Sequence, residues 1–194
     1  MMDVDVSSSV GEARARFFRE SGFPEDGGYS ARTVVLKKLG PIPIVAFPNS
    51  DARRRAIAMH DLHHVATFYE PSWTGEAEIS AWELATGCGR YVFAWVITMP
   101  AIAVGLLVAP LRTWRAWVRG RHTRSLYAER WSDALLHKTV GELRRELGLE
   151  RPVPPATLGD ALSFGVWSAA SLLQAAALLA LPVAGVWLVL RALA

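Results

Sequence analysis

The chain is poor in cysteine, in net charge and in any apolar stretch near its start, and each scarcity closes a class of explanation. Cys88 is the single cysteine, so no intramolecular disulfide can staple the fold, and this usage suits a reducing compartment. A net charge of +3 over 194 residues is too small to argue for nucleic acid as a partner. Residues 1–19 open with acids and serines and hold no apolar segment, which excludes a secretory signal. Arg14, Arg16 and Arg19 have acids close by, unlike a transit peptide. No internal repeat is visible. What the chain has in excess is apolar residues, 52% of the total with eight tryptophans, gathered in two blocks that point to membrane contact. The length suits one domain with a real core.

Residues 1–30 read as a polar, disordered start with at most a short helix near Glu12–Glu20, then a glycine-rich loop. Thr33–Leu36 and Ile42–Val45 read as short extended pieces, which the nearby prolines keep out of a central sheet position. Asn49-Ser50-Asp51 is a helix start, and the helix it opens should run to about Tyr69. A turn at Pro71–Gly75 leads into a second helix from Glu76. Tyr91–Leu111 carries no charge, with Pro100 predicting a kink or break. Arg112, Arg115, Arg119, Arg121 and Arg124 follow, interleaved with Trp114 and Trp117. They resemble an interfacial segment with tryptophans at headgroup level and arginines reaching phosphate. Tyr127–Leu149 reads as one amphipathic helical region, closed by prolines at 152, 154 and 155. Ala161–Leu190 is uncharged for thirty residues, and predicts a transmembrane helix that tilts, breaks near Pro182, or is partly buried in protein. The expected architecture is all-α, a helical bundle with a membrane-embedded C-terminal helix. Its parts are a polar N-terminus (1–30), a helical metal-binding domain (31–158) and a transmembrane segment (159–194).

One constellation carries chemistry. His60 and His64 are i and i+4 on a predicted helix, so both rings share one face and can offer two nitrogens to one cation. Asp61 lies about 100° round the helix, able to ligate or to orient a ligand histidine. Glu76, just past the turn, can fold back over the histidines. Two histidines with one or two carboxylates suit zinc, iron, manganese or cobalt, with positions left for water or substrate. His63 faces elsewhere and reads as a supporting or surface residue, while His122 and His137 read as surface histidines. Glu70, Glu78 and Glu83 are nearby carboxylates able to carry protons.

His60-Asp61-x-x-His64, eleven residues and then Glu76, preceded by Gly75, is similar to the signature of the coenzyme Q (ubiquinone) biosynthesis protein 4 family. The run Val140–Leu149 and the prolines after it resemble that family's closing helix. The resemblance covers roughly residues 50–155. It implies an all-α fold at the membrane and a divalent metal at His60, Asp61, His64 and Glu76, these residues forming the catalytic centre. It also implies removal of the C1 carboxyl, with hydroxylation there, on a prenylated quinone precursor. The apolar helix after Glu76 would hold the isoprenoid tail. The tail from Ala161 is an addition to the family pattern.

Rival readings are narrower. His60-x-x-His63-His64 also spells a box of the membrane desaturases, but five histidines and no second box cannot supply a di-iron centre. The His60-Asp61 doublet of metal-dependent phosphohydrolases lacks its further partners. A non-catalytic, lipid-binding scaffold that organises a biosynthetic complex, with a structural metal, is the serious alternative. The expected partners are a prenylated quinone precursor or other isoprenoid lipid, the membrane, and other biosynthetic enzymes or a second copy of the chain. The expected location is the inner or cytoplasmic membrane, the site facing the cytoplasm, with Tyr91–Leu111 entering the membrane or lining a lipid groove without crossing.

Overall fold

The computed structural model describes residues 2–39 and 42–193, without the side chains of 34–47, 182–186, 188–190 and 192–193. The fold is all-α apart from one hairpin. Strands β1 (Thr33–Leu39) and β2 (Ile42–Pro48) pair antiparallel, Thr33 opposite Pro48 and Leu36 opposite Val45, and the register slips after Leu36. In a two-stranded sheet both strands are edges, so Pro43 and Pro48 interrupt nothing that matters.

The short helix expected near Glu12–Glu20 is present, begins two residues earlier and is packed on the core. Helix α1 (Val10–Glu20) starts with a capping box in which the Ser9 hydroxyl accepts from the Glu12 N–H and the Glu12 carboxylate accepts from the Ser9 N–H. Its Val10, Ala13, Phe17 and Phe18 are buried in the core. Fully burying a phenylalanine contributes about 1.5–3 kcal/mol, enough to hold a short helix that would fray alone. The start of α1 is also zipped to a later segment. Val10 N–H donates to the Lys138 carbonyl at 2.8 Å and Val140 N–H to the Ser8 carbonyl at 3.0 Å, with Ser9 and Thr139 forming an isolated bridge.

Helices α2 (Asp51–Thr67) and α3 (Trp73–Thr86) are the middle of the molecule. Every residue from Met59 to Thr67 in α2, and from Ala77 to Leu84 in α3, is buried. Such all-round burial marks a core helix, so the polar groups on it need partners inside the protein. Helices α4 (Val92–Val108) and α5 (Pro110–Arg121) pack on α3 as a hairpin. At Gly120 an added Cβ would meet the Trp82 carbonyl at 2.6 Å, so only glycine lets α5 come this close.

The uncharged first block is therefore two elements, and the break falls at Ala109–Pro110 rather than at Pro100. Proline at 100 leaves the Val96 carbonyl without its usual N–H partner. Gln174 Nε2 donates to that carbonyl at 3.1 Å, which lets α4 continue. The tryptophans of the basic segment pack on the protein. Trp117 is buried and donates to the Ser163 hydroxyl at 3.3 Å, and both Trp114 and Trp117 pack on Phe164.

The region 127–149 is not one helix. A 3-10 turn (Leu126–Ala128), α6 (Ala134–His137) and α7 (Val140–Glu146) share it, α7 restarting on a Thr139/Glu142 capping box. Of the apolar residues whose spacing puts them on one side, Leu135, Val140, Leu143 and Leu147 are buried and Leu136 is half-buried. Helix α8 (Leu158–Leu193) is continuous through Pro182. Its stretch Leu158–Leu181 is long and apolar enough to cross a membrane, and only 6% of the window that defines it is buried. Phe164, Trp167 and Ser171 face α4 and α5, with Trp167 stacked on Trp95 at 5.5 Å between centroids.

Candidate metal centre

The α2–α3 turn builds the site. Helix α2 ends at Phe68 in the left-handed conformation (φ 66°), which is unfavourable for a residue other than glycine. The Arg144 guanidinium lies 4.0 Å from the centre of the Phe68 ring and holds it there. The reversal brings the Tyr69 carbonyl to 2.8 Å from His64 Nδ1. Ser72 caps α3 by accepting from Gly75 N–H, and a Cβ on Gly75 would overlap the Glu70 carbonyl. This close approach places Glu76, in the first turn of α3, over the histidine face of α2.

His60 Nε2 and His64 Nε2 are 3.2 Å apart, and Glu76 stands 3.4 Å from the first and 3.3 Å from the second. These three residues could hold a metal ion. Atoms bound tetrahedrally at about 2.0–2.1 Å stand roughly 3.3–3.4 Å from one another, which these separations match. The tautomers follow from the outer partners. His64 Nδ1 faces a carbonyl and His60 Nδ1 faces the Glu83 carboxylate at 2.9 Å, and both partners can only accept. Each neutral ring therefore carries its proton on Nδ1 and turns a bare Nε2 lone pair inward. Two nitrogen lone pairs and a carboxylate converge on one point, which calls for a positive charge there.

Protons compete for the same point. Burial opposes a charge on His60, but Glu83 and Glu76 outweigh it and hold its pKa well above the ordinary value. Burial would raise Glu76, yet hydrogen bonds from His60 and His64 hold it far below the usual range. Burial likewise works against Glu83, and the His60 and His63 rings still bring it down to about 2.

Two residues matter more than their sequence context suggested. Glu83 Oε1 accepts from His60 and, at 2.6 Å, from His63 Nδ1, so Glu83 is a buried anchor for both rings. His63 is fully buried, and its Nε2 accepts from the Leu126 N–H at 2.9 Å. Burial lowers its pKa and keeps it neutral, which this pair of bonds requires. Asp61 is not among the three converging groups. It is buried, accepts from the Tyr29 hydroxyl, and is raised by that burial against the pull of His60. Glu78 is bound by both nitrogens of the Arg112 fork at 3.0 and 2.8 Å. His122 and His137 are exposed, as expected. Phe17 of α1 stacks on His64, centroids 5.0 Å and planes 22° apart, closing one side of the site.

Comparison with protein-family models, with curated proteins and with solved structures gives no match. The class to which fold and site point is a helical protein with a His/His/Glu group able to hold a metal ion and one helix able to cross a membrane.

Proposed function

We propose that the protein is a membrane-anchored metalloprotein acting on the polar head of a prenylated aromatic precursor, in the manner of the coenzyme Q biosynthesis protein 4 family. The reaction class is decarboxylation or hydroxylation at ring C1. The observation that carries this reading is the meeting of His60 Nε2, His64 Nε2 and the Glu76 carboxylate beside an apolar cleft. That cleft, about 310 Å³, is lined by Pro71, Trp73, Glu76, Ala101 and Val104, and the Glu76 side chain is 39% exposed. Three protein ligands with an open side are the pattern of catalytic sites, whereas structural sites are closed by four. A non-catalytic scaffold would need no such opening.

Zinc, iron, manganese or cobalt bound there would supply Lewis acidity or oxygen activation. The chain's own residues do the rest. Glu83 and the Tyr69 carbonyl fix the tautomers and aim of His60 and His64. The wall from Trp73 to Val104 receives a prenyl chain and keeps water from the head group. In this reading helix α8 anchors the body, and the arginine-rich segment before it supports a site facing the cytoplasm.

The test is metal content of the detergent-purified protein by mass spectrometry, for wild type, His64→Ala and Glu76→Ala. About one equivalent in wild type and its loss in both variants supports the site, and product analysis on prenylated hydroxybenzoates then tests the reaction. Equal metal in all three proteins would sink the reading.

A further inference from the structure

A second, larger cavity lies on the far side of α3 from the metal centre. Glu78, in its wall, is two residues beyond Glu76 and so about 200° round the helix. Its volume is about 540 Å³, and three arginines from two separate helices line it: Arg115 and Arg119 of α5 and Arg144 of α7. Arg119 donates to the Thr67 carbonyl at 3.2 Å and lies 5.5 Å from the centre of the Tyr69 ring. Arg144 donates to the Ala66 carbonyl and covers Phe68. Each guanidinium has five N–H donors, so one such tether fixes its plane and leaves others to give. Arg115 is exposed and has no hydrogen-bond or ion-pair partner among the described residues. The acid in the wall, Glu78, is already neutralised by Arg112. The cavity thus holds uncompensated positive charge inside walls made by Phe68, Tyr69 and Trp114.

We propose that this cavity binds the phosphate of an anionic membrane lipid. Guanidinium forks held in fixed planes match phosphate oxygens in geometry and charge. The apolar walls suit the glycerol and first methylenes of an amphiphile better than a free ion. The position selects the source. Val153, Pro154 and Ala156 form part of the wall and lead in two residues to Leu158, itself 76% exposed, where the apolar helix α8 begins. A headgroup beside the first turn of a membrane-crossing helix lies at the depth of the lipid phosphates. The proposal rests on the membrane reading of α8 and requires no metal at the histidines, although the two sites share the turn at Phe68–Tyr69.

The full chain in a neutral detergent is titrated with dioctanoyl phosphatidylglycerol, with the phosphatidylcholine analogue and with inorganic phosphate, followed by calorimetry. Arg115→Gln removes one cavity cation without touching a tether, and exposed Arg124→Gln removes an equal charge outside the cavity. Phosphatidylglycerol should bind more tightly than the other two probes, weaken about fivefold or more in Arg115→Gln, and be unchanged in Arg124→Gln. Equal losses in the two variants would mean diffuse surface charge and overturn the site. Phosphate binding as tightly as the lipid would make it a free-anion pocket, and no binding of any probe would dismiss it. Insertion of wild type and Arg115→Gln into pure phosphatidylcholine vesicles is measured separately. Failure there counts against α8 as a membrane span, and the titration still decides the cavity.

Discussion

Glu83 Oε1 lies 2.6 Å from Nδ1 of His63, and the same oxygen holds His60 at 2.9 Å. One buried carboxylate thus sets the tautomer of a candidate ligand and of the histidine that fixes the turn at Leu126. Replacing Glu83 by glutamine leaves a carbonyl oxygen but removes the charge that draws both protons. Zinc affinity should fall about 10–100-fold, as for other outer partners of metal ligands. Chelator competition on purified Glu83→Gln measures it, and unchanged affinity would show that the rings hold their aim without the carboxylate.

Gly75→Ala keeps every candidate ligand and should still impair metal binding. The new methyl would overlap the Glu70 carbonyl, so the start of α3 must shift and carry Glu76 away from the histidines. Ser72→Gly, which weakens the cap without adding bulk, should have the smaller effect on metal content.

Phe17→Ala should cost about 3–5 kcal/mol of stability, because a fully buried ring is lost from a core that cannot close round the gap. Since Phe17 also stacks on His64, the same variant should bind metal more weakly. Denaturant unfolding with and without added zinc separates the two effects.

Gln174→Leu tests how α4 survives its proline. Without the amide, the Val96 carbonyl freed by Pro100 loses its donor, at a cost of about 0.5–1.5 kcal/mol. Adding Pro100→Ala should recover most of that loss, and a double-mutant cycle without coupling would refute the link.

Asp160 ties the first turn of α8 to the body. Its carboxylate accepts from the Thr157 N–H at 2.9 Å, from the Thr157 hydroxyl at 2.8 Å and from Arg121 Nε at 3.3 Å. Asp160→Asn removes the charge that draws these donors, so protease cleavage near residues 151–157 should rise above that of wild type. Equal cleavage of the two proteins would show that the junction holds without the carboxylate.

The part of the site written in local spacing was legible. His60 and His64 share a face because of the helical repeat, and the turn after α2 returns Glu76 to them. Glu83 and the Tyr69 carbonyl were not legible as partners, since the first is a long-range contact and the second depends on Phe68 turning left-handed. Asp61 could not be assigned from spacing alone, because its partner Tyr29 comes from a loop thirty-two residues earlier. In the fold, apolar periodicity identified the core positions of residues 135–147 but not the breaks between their helices. Thr139-x-x-Glu142 and Ser9-x-x-Glu12 are capping-box patterns; the first marks the overlooked start of α7, and the second places the start of α1 two residues before the expected Glu12. The membrane-crossing length of α8 was plain in its composition. The packing of Trp114 and Trp117 on Phe164 of α8 was not legible, because burial against a helix and a lipid interface both favour the same aromatic residues.

The bridge between Ser9 and Thr139 also sets an order of events during synthesis. Helix α1 leaves the ribosome first, yet the strand edge that receives it is made some 130 residues later, at positions 138–141. Until then Phe17 and Phe18 have no complete pocket, and the histidine cluster has an open flank. The body can close only as its last helical turns appear, immediately before the apolar helix emerges. A tag or fusion on the first few residues would therefore disturb metal loading, although it is joined far from the ligands in sequence.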